Sequence, residues 1–188
     1  MSALGYNDWA RLHRIANSEF DVRLRQILPE WWGASTPCAE WDIYDLVNHV
    51  VTESLWVPVL LAGHHPDSVG GLDGDIIEGD PLDVWEDARS DAMTAVEAAS
   101  SNAEVFLSTG TTDRQRTVDM AVHSWDLGRA LAGDEDLDPE LVEGVAGFVW
   151  PIATRFAEGS LQFEPSLPAE STDSKWNSVL RILGRDPD

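Results

Sequence analysis

TVDMAVHSWDLGRALAG, Thr117–Gly133, is the stretch on which the reading of this chain turns. As a helix it sets Asp119 and His123 four residues apart on one face. Asp126 and Ala130 follow within an arc of about 60°. The flanks of that arc are apolar, with Val118 and Val122 on one side and Leu127 and Leu131 on the other. The polar residues therefore lie inside the stripe that should face a core. A carboxylate and an imidazole are costly there unless something compensates them. A metal ion would do so, and so would a plain Asp–His hydrogen bond at i,i+4. The stretch alone leaves both readings open.

Composition narrows the function classes. The chain has 188 residues, enough for one domain with a sizeable core. Lys and Arg total 12 against 34 Asp and Glu, a net charge of −22. Such a surface repels phosphate backbones and anionic lipid, which argues against nucleic-acid and membrane-surface roles. The single cysteine, Cys38, excludes an internal disulfide. The opening MSALGYNDWARLHR lacks the basic, apolar, small-residue order of a signal peptide. No apolar run approaches the ~18 residues of a membrane span, so a cytoplasmic location is expected.

Taken in order, the chain reads as helices. Trp9, Leu12, Ala16, Phe20, Leu24 and Ile27 recur at helical spacing from Asn7 to Leu28, before Pro29. His13 lies between Arg11 and Arg14 and is expected on the surface. Asp42 is a natural N-cap for a second helix from Ile43 to about Val57, where Pro58 should bend or end it. Its inward face carries Leu46, His49, Glu53 and Trp56, so Glu53 competes with any metal as partner of His49. His64 and His65 fall in a Gly- and Asp-rich loop and are expected to be exposed. Asp80-Pro81 and Asp138-Pro139 each open a further helix, the first running to about Ser101. Glu104–Leu107 reads as a brief strand or a loop. The fourth helix spans about Asp113–Ala132, Pro151 should kink or divide the fifth, and Ser174–Leu183 forms a short last one. The fold class expected is all-α: a four-helix bundle with one or two short extra helices, over residues 1–188 as one domain.

Three stretches carry a resemblance. Thr36-Pro37-Cys38 through Trp41, Asp45, Leu46 and His49 resembles a TPC-x-x-W-x-V-x-D-L-x-x-H segment. Val122-His123-Ser124-Trp125-Asp126-Leu127 is similar to a VH-x-WDL motif. Phe163-Glu164-Pro165 and Leu183-Gly184-Arg185-Asp186-Pro187 resemble an F-x-P…LGRDP ending. Together, in this order, they look like the actinobacterial DinB-like metal-binding proteins related to the N-terminal domain of mycothiol-dependent maleylpyruvate isomerase. The resemblance covers the chain from about residue 8 onward. It implies a DinB-like four-helix bundle holding one divalent metal through a histidine of the second helix and an acid-x-x-x-His pair of the fourth. Those positions here are His49, Asp119 and His123; the isomerase has glutamate where this chain has the shorter Asp119. Asp126 matches the motif as a residue that orients an imidazole, or that caps or pairs within its helix.

Two imidazoles and a carboxylate leave a position open on Zn²⁺, the ion expected first; Ni²⁺ and Fe²⁺ fit the same donors. The function expected is a metal-dependent S-transferase or isomerase using a small-molecule thiol, mycothiol by resemblance, and an electrophilic substrate, with a metal-activated thiolate or water as nucleophile. Trp56, Trp125 and Leu127 are expected to wall the pocket, and Glu53 is the candidate general base. The isomerase carries a second domain that helps to form its active site, so its substrate recognition does not transfer here. A monomer or a homodimer is expected. The rival readings are a metal- or ligand-binding bundle without turnover, and a structural bundle whose histidines satisfy buried hydrogen bonds.

Overall fold

The computed structural model describes residues 4–64, 74–99, 113–159 and 163–188. Within them the chain is all-α. Helix α1 spans Tyr6–Leu24, α2 Ile43–Leu61, α3 Pro81–Ala98 and α4 Asp113–Ala130. Helix α5, Pro139–Val149, runs on into a 3₁₀ segment, Trp150–Arg155, and α6 spans Lys175–Ile182. Among the described residues there is no strand, only one isolated bridge between Ser35 and Asp42. None of the described helices is long and apolar enough to cross a membrane. His65 and Glu104–Leu107 lie outside the described residues.

The helix starts follow the side chains that sequence picked out. Asp42 accepts from the Asp45 N–H at 3.0 Å, and the Asp45 carboxylate accepts from the Asp42 N–H at 3.2 Å, a reciprocal cap. Asp80 accepts from the Leu82 N–H at 2.9 Å and Asp138 from the Glu140 N–H at 2.8 Å, each with proline next in the chain. The ends differ more. Helix α1 stops at Leu24 because the N–H groups of Gln26 and Ile27 turn to the carbonyls three residues back. Helix α2 passes through Pro58 to Leu61. Proline in a last turn forfeits one backbone bond, and the turn beyond it buries Leu60.

Helices α1 and α4 pack against each other, as do α2 and α3, around a core that includes Phe20, Leu46, Trp85, Trp125 and Leu141. Two glycines permit the closest approaches. A Cβ at Gly144 would run into the Leu12 side chain, so glycine lets α5 lie on α1. A Cβ at Gly128 would run into the Asp134 carbonyl oxygen. That carbonyl accepts from Arg23 Nε at 3.1 Å, and the Asp136 carbonyl accepts from Arg23 Nη2 at 2.6 Å. The α4–α5 turn is thereby clamped to α1. Gly128→Ala should destabilise the fold by about 1–3 kcal/mol, measured as a lower urea midpoint at unchanged m-value.

His13 departs from expectation. It is fully buried, not on the surface. Helix α1 is covered over a wide arc that takes in His13 beside Leu12, and His13 Nδ1 lies 3.4 Å from Thr117 Oγ1 of α4. Burial, aided by the Arg14 charge, lowers its pKa from 6.5 to about 4. An unfolded chain binds a proton at this residue between those values and the folded chain does not. Its share of stability is therefore whole above pH about 6.5 and is lost as pH falls toward about 4. His13→Gln should flatten the fall in unfolding free energy over that window, read as the difference between the two stability–pH curves.

Candidate metal centre

Asp42 starts α2 in a register that places His49, one residue short of two turns from Ile43, opposite α4. Helix α4 is buried along its length from Arg116 to Gly128. Its polar residues therefore meet partners from other elements, or none. Asp119 Oδ2 lies 3.1 Å from His49 Nε2, and Asp119 Oδ1 lies 3.6 Å from His123 Nε2. One donor atom from each of His49, Asp119 and His123 lies within 4.8 Å of the others. The two imidazole rings stand 5.0 Å apart, nearly perpendicular at 76°. Asp119 and His123 are buried and His49 is partly open.

The other face of His123 is fixed. Its Nδ1 donates to Asp126 Oδ2 at 2.9 Å, which leaves Nε2 turned toward Asp119. Asp126, fully buried, is itself held by a two-pronged ion pair: Arg185 Nε donates to Oδ1 at 2.9 Å and Nη2 to Oδ2 at 3.1 Å. Of the two roles open to Asp126 from sequence, orienting an imidazole is the one found. Trp41 packs on both rings, 4.9 Å from His49 and 5.8 Å from His123.

The charges reinforce one another. Burial works against ionisation of Asp119, yet the His123 and His49 imidazoles and the Arg116 charge hold its carboxyl well below the usual carboxylate range. Burial likewise works against protonation of His123, but Asp119 and Asp126 outweigh it and raise its pKa. Asp119 and His123 thus stabilise each other's charged forms. Asp119 Oδ1 is buried and accepts no hydrogen bond. An orphaned carboxylate oxygen facing two imidazole nitrogens is a donor set suited to a divalent cation.

The triad opens on a cavity of about 410 Å³. Its walls differ from those expected. Trp56 instead lies under the Arg116 guanidinium, 5.2 Å away, Trp125 sits in the core beneath Arg129, and Leu127 is fully buried. Trp41 takes the wall, joined by Cys38 and by Glu158, Phe163, Glu164 and Arg185 from the C-terminal part of the chain. Two left-handed glycines hold that part in place. Gly184, at φ +77°, would bring a Cβ within 2.6 Å of the Glu164 carbonyl oxygen. Gly159, at φ +83°, lies against Phe163 and Pro165. Glu53 also departs from expectation: it is buried in an ion pair with Arg116 and does not reach His49 as its partner. His64 is exposed, as expected.

The mycothiol maleylpyruvate isomerase N-terminal domain family matches residues 13–128, more than half of the chain. The chain belongs to this family. Two uncharacterized proteins of Mycobacterium tuberculosis, from two strains, are each 27% identical over 92% of this chain and 95% of their own length. No solved structure gives a significant match. The family match takes in His49, Asp119, His123 and Asp126 and ends before the C-terminal segment that supplies Glu158, Glu164 and Arg185.

Arg185→Met should leave the buried Asp126 carboxylate with only the His123 imidazole as partner, at a cost of about 3–5 kcal/mol. The double variant Asp126→Asn/Arg185→Met should recover part of that loss. Chemical denaturation of both variants checks the coupling.

Proposed function

We propose that His49, Asp119 and His123 hold one divalent metal ion, Zn²⁺ first with Ni²⁺ and Fe²⁺ as alternatives. We further propose that the protein is a metal-dependent S-transferase or isomerase joining a small-molecule thiol of the mycothiol type to an electrophile. The observation that carries the reading is the convergence of the three donor atoms, with the buried Asp119 Oδ1 left unpartnered, at the floor of an open cavity. The family name supports the thiol. When bound, a divalent ion supplies a positive charge that favours the ionised form of a thiol or water in the cavity.

The chain's own residues do the rest. Arg185 fixes Asp126, and Asp126 fixes the His123 ring so that Nε2 faces the site. Trp41 packs on both rings and limits their movement. Asp119, ionised by its surroundings, supplies the negative charge that a dication requires. Glu53 serves as counter-ion to Arg116, so a general base in this reading comes from the substrate, the thiol or the cavity rim.

Element-resolved metal content of tag-free protein tests the reading. Near one equivalent of metal is expected in the parent, lost in His49→Ala and in His123→Ala, and unchanged in His64→Ala. Absence of metal from all samples after reconstitution and dialysis refutes it. Metal without turnover of any thiol–electrophile pair leaves a metal-binding protein and removes the enzyme.

A further inference from the structure

The cavity before the triad is walled by acids and by one base already spent. Asp119 turns its unpartnered Oδ1 into the site while being 97% shielded, its relative exposure being 3%. Glu158 and Glu164 are exposed at the opening, and neither has an ion-pair partner among the described residues. Arg185 is the only Lys or Arg among the described residues of the lining. Its Nε and Nη2 are given to Asp126, and its Nη1 donates to the Leu183 carbonyl at 3.4 Å.

We propose that the Glu158–Glu164 rim makes this cavity a site for neutral or cationic small molecules and turns away carboxylate-bearing ones. The substrate of this chain is then of a different charge class from the keto acid in the family's name. The proposal rests on the cavity being the ligand site argued above, but not on a metal being present.

Charge decides the sign. Asp119, Asp126, Glu158 and Glu164 set four carboxylates against the one guanidinium of Arg185, a surplus of three negative charges. A bound dication would still leave one. A carboxylate entering the cavity passes two rim glutamates and meets no free guanidinium or ammonium. A cleft focuses such a field, so it acts on ligands at the mouth more strongly than the same charges on an open surface. The field is felt at Cys38 on the wall. Burial pushes its thiol up to about 11; Arg185 opposes this, and Asp126, Asp119 and Glu164 add to it. Glu158 and Glu164 lie beyond residues 13–128, the part that the family model matches.

Cys38, the only cysteine of the chain, is a built-in reporter of this field. Metal-free, full-length protein is treated at mildly alkaline pH with a cationic trimethylammonium-ethyl and an anionic sulfonato-ethyl methanethiosulfonate of matched size. The cationic-to-anionic rate ratio at Cys38 is expected to exceed that of a small free thiol by about three- to tenfold. The excess should shrink with added salt and mostly vanish in Glu158→Gln/Glu164→Gln, whose helical circular dichroism should match the parent. A ratio equal to that of the free thiol, or one unmoved by the double substitution, overturns the proposal. Loss of the metal reading leaves the rate ratio untouched, and loss of the rate ratio leaves metal content untouched, so the two failures are distinguishable.

Discussion

A charge buried in a helix must be answered by another element, and α4 forces that condition on the whole fold. Arg116, Asp119, His123 and Asp126 all lie inside the molecule on this one helix. None can be left alone in a medium where an unpaired ion costs several kcal/mol. Arg116 is answered by Glu53 of α2, Asp119 by His49 of α2, and Asp126 by Arg185 just after α6. These pairings tie the second helix and the chain's last residues to the fourth. The apolar core supplies the driving force, but it is indifferent to small slips between helices. The ion pairs are not, and they fix the depth and rotation at which α2 and the C-terminal segment meet α4.

Of these compensations, the one at Asp119 comes from imidazoles. Arg116 and Asp126 find opposite full charges, whereas Asp119 finds an imidazole at one oxygen and leaves the other without a hydrogen bond. The imidazoles and Arg116 drive the Asp119 carboxyl pKa down, and Asp119 and Asp126 drive the His123 pKa up. A structural Asp–His pair would normally be finished with a second donor. An Asp–His pair with one oxygen left over, facing a second imidazole and an open cavity, is the feature on which the proposed metal site rests.

Much of this was legible in sequence, for a definite reason. Helix periodicity and the Asp-Pro and Asp42 caps are local signals, and they set the elements and most starts. The polar residues on the apolar face of Thr117–Gly133, and His49 on that of the second helix, are periodic too, so the triad could be picked out before any packing was known. The failures are all non-local. His13 sits between two arginines in sequence, yet it is buried because α4 covers α1 over a broad arc. Glu53 has the spacing of a partner for His49, but Arg116 arrives from another helix and takes it. Nothing periodic links residue 185 to residue 126, or residue 164 to residue 49. Periodicity therefore points for the cavity's wall to tryptophans on the helices of His49 and His123, whereas Trp41, which precedes α2, carries no periodic signal.

That non-local wall bears on how function divides along the chain. The part that matches the family supplies the donor triad and the residue that orients His123. The part beyond it supplies Arg185, without which the buried Asp126 keeps only the His123 imidazole as partner, and the exposed Glu158 and Glu164 of the cavity. Gly159 and Gly184 fold the C-terminal part on itself, since a Cβ at Gly184 would run into the Glu164 backbone and one at Gly159 would crowd Phe163 and Pro165. The same short segment therefore does two jobs that can change separately. Arg185 is constrained by the buried carboxylate it must neutralise, whereas Glu158 and Glu164 are constrained only by what enters the cavity. A chain of this architecture can keep its centre intact and alter its ligand by exchanging exposed rim charges, because those charges carry no share of the ion pairs that hold the fold together.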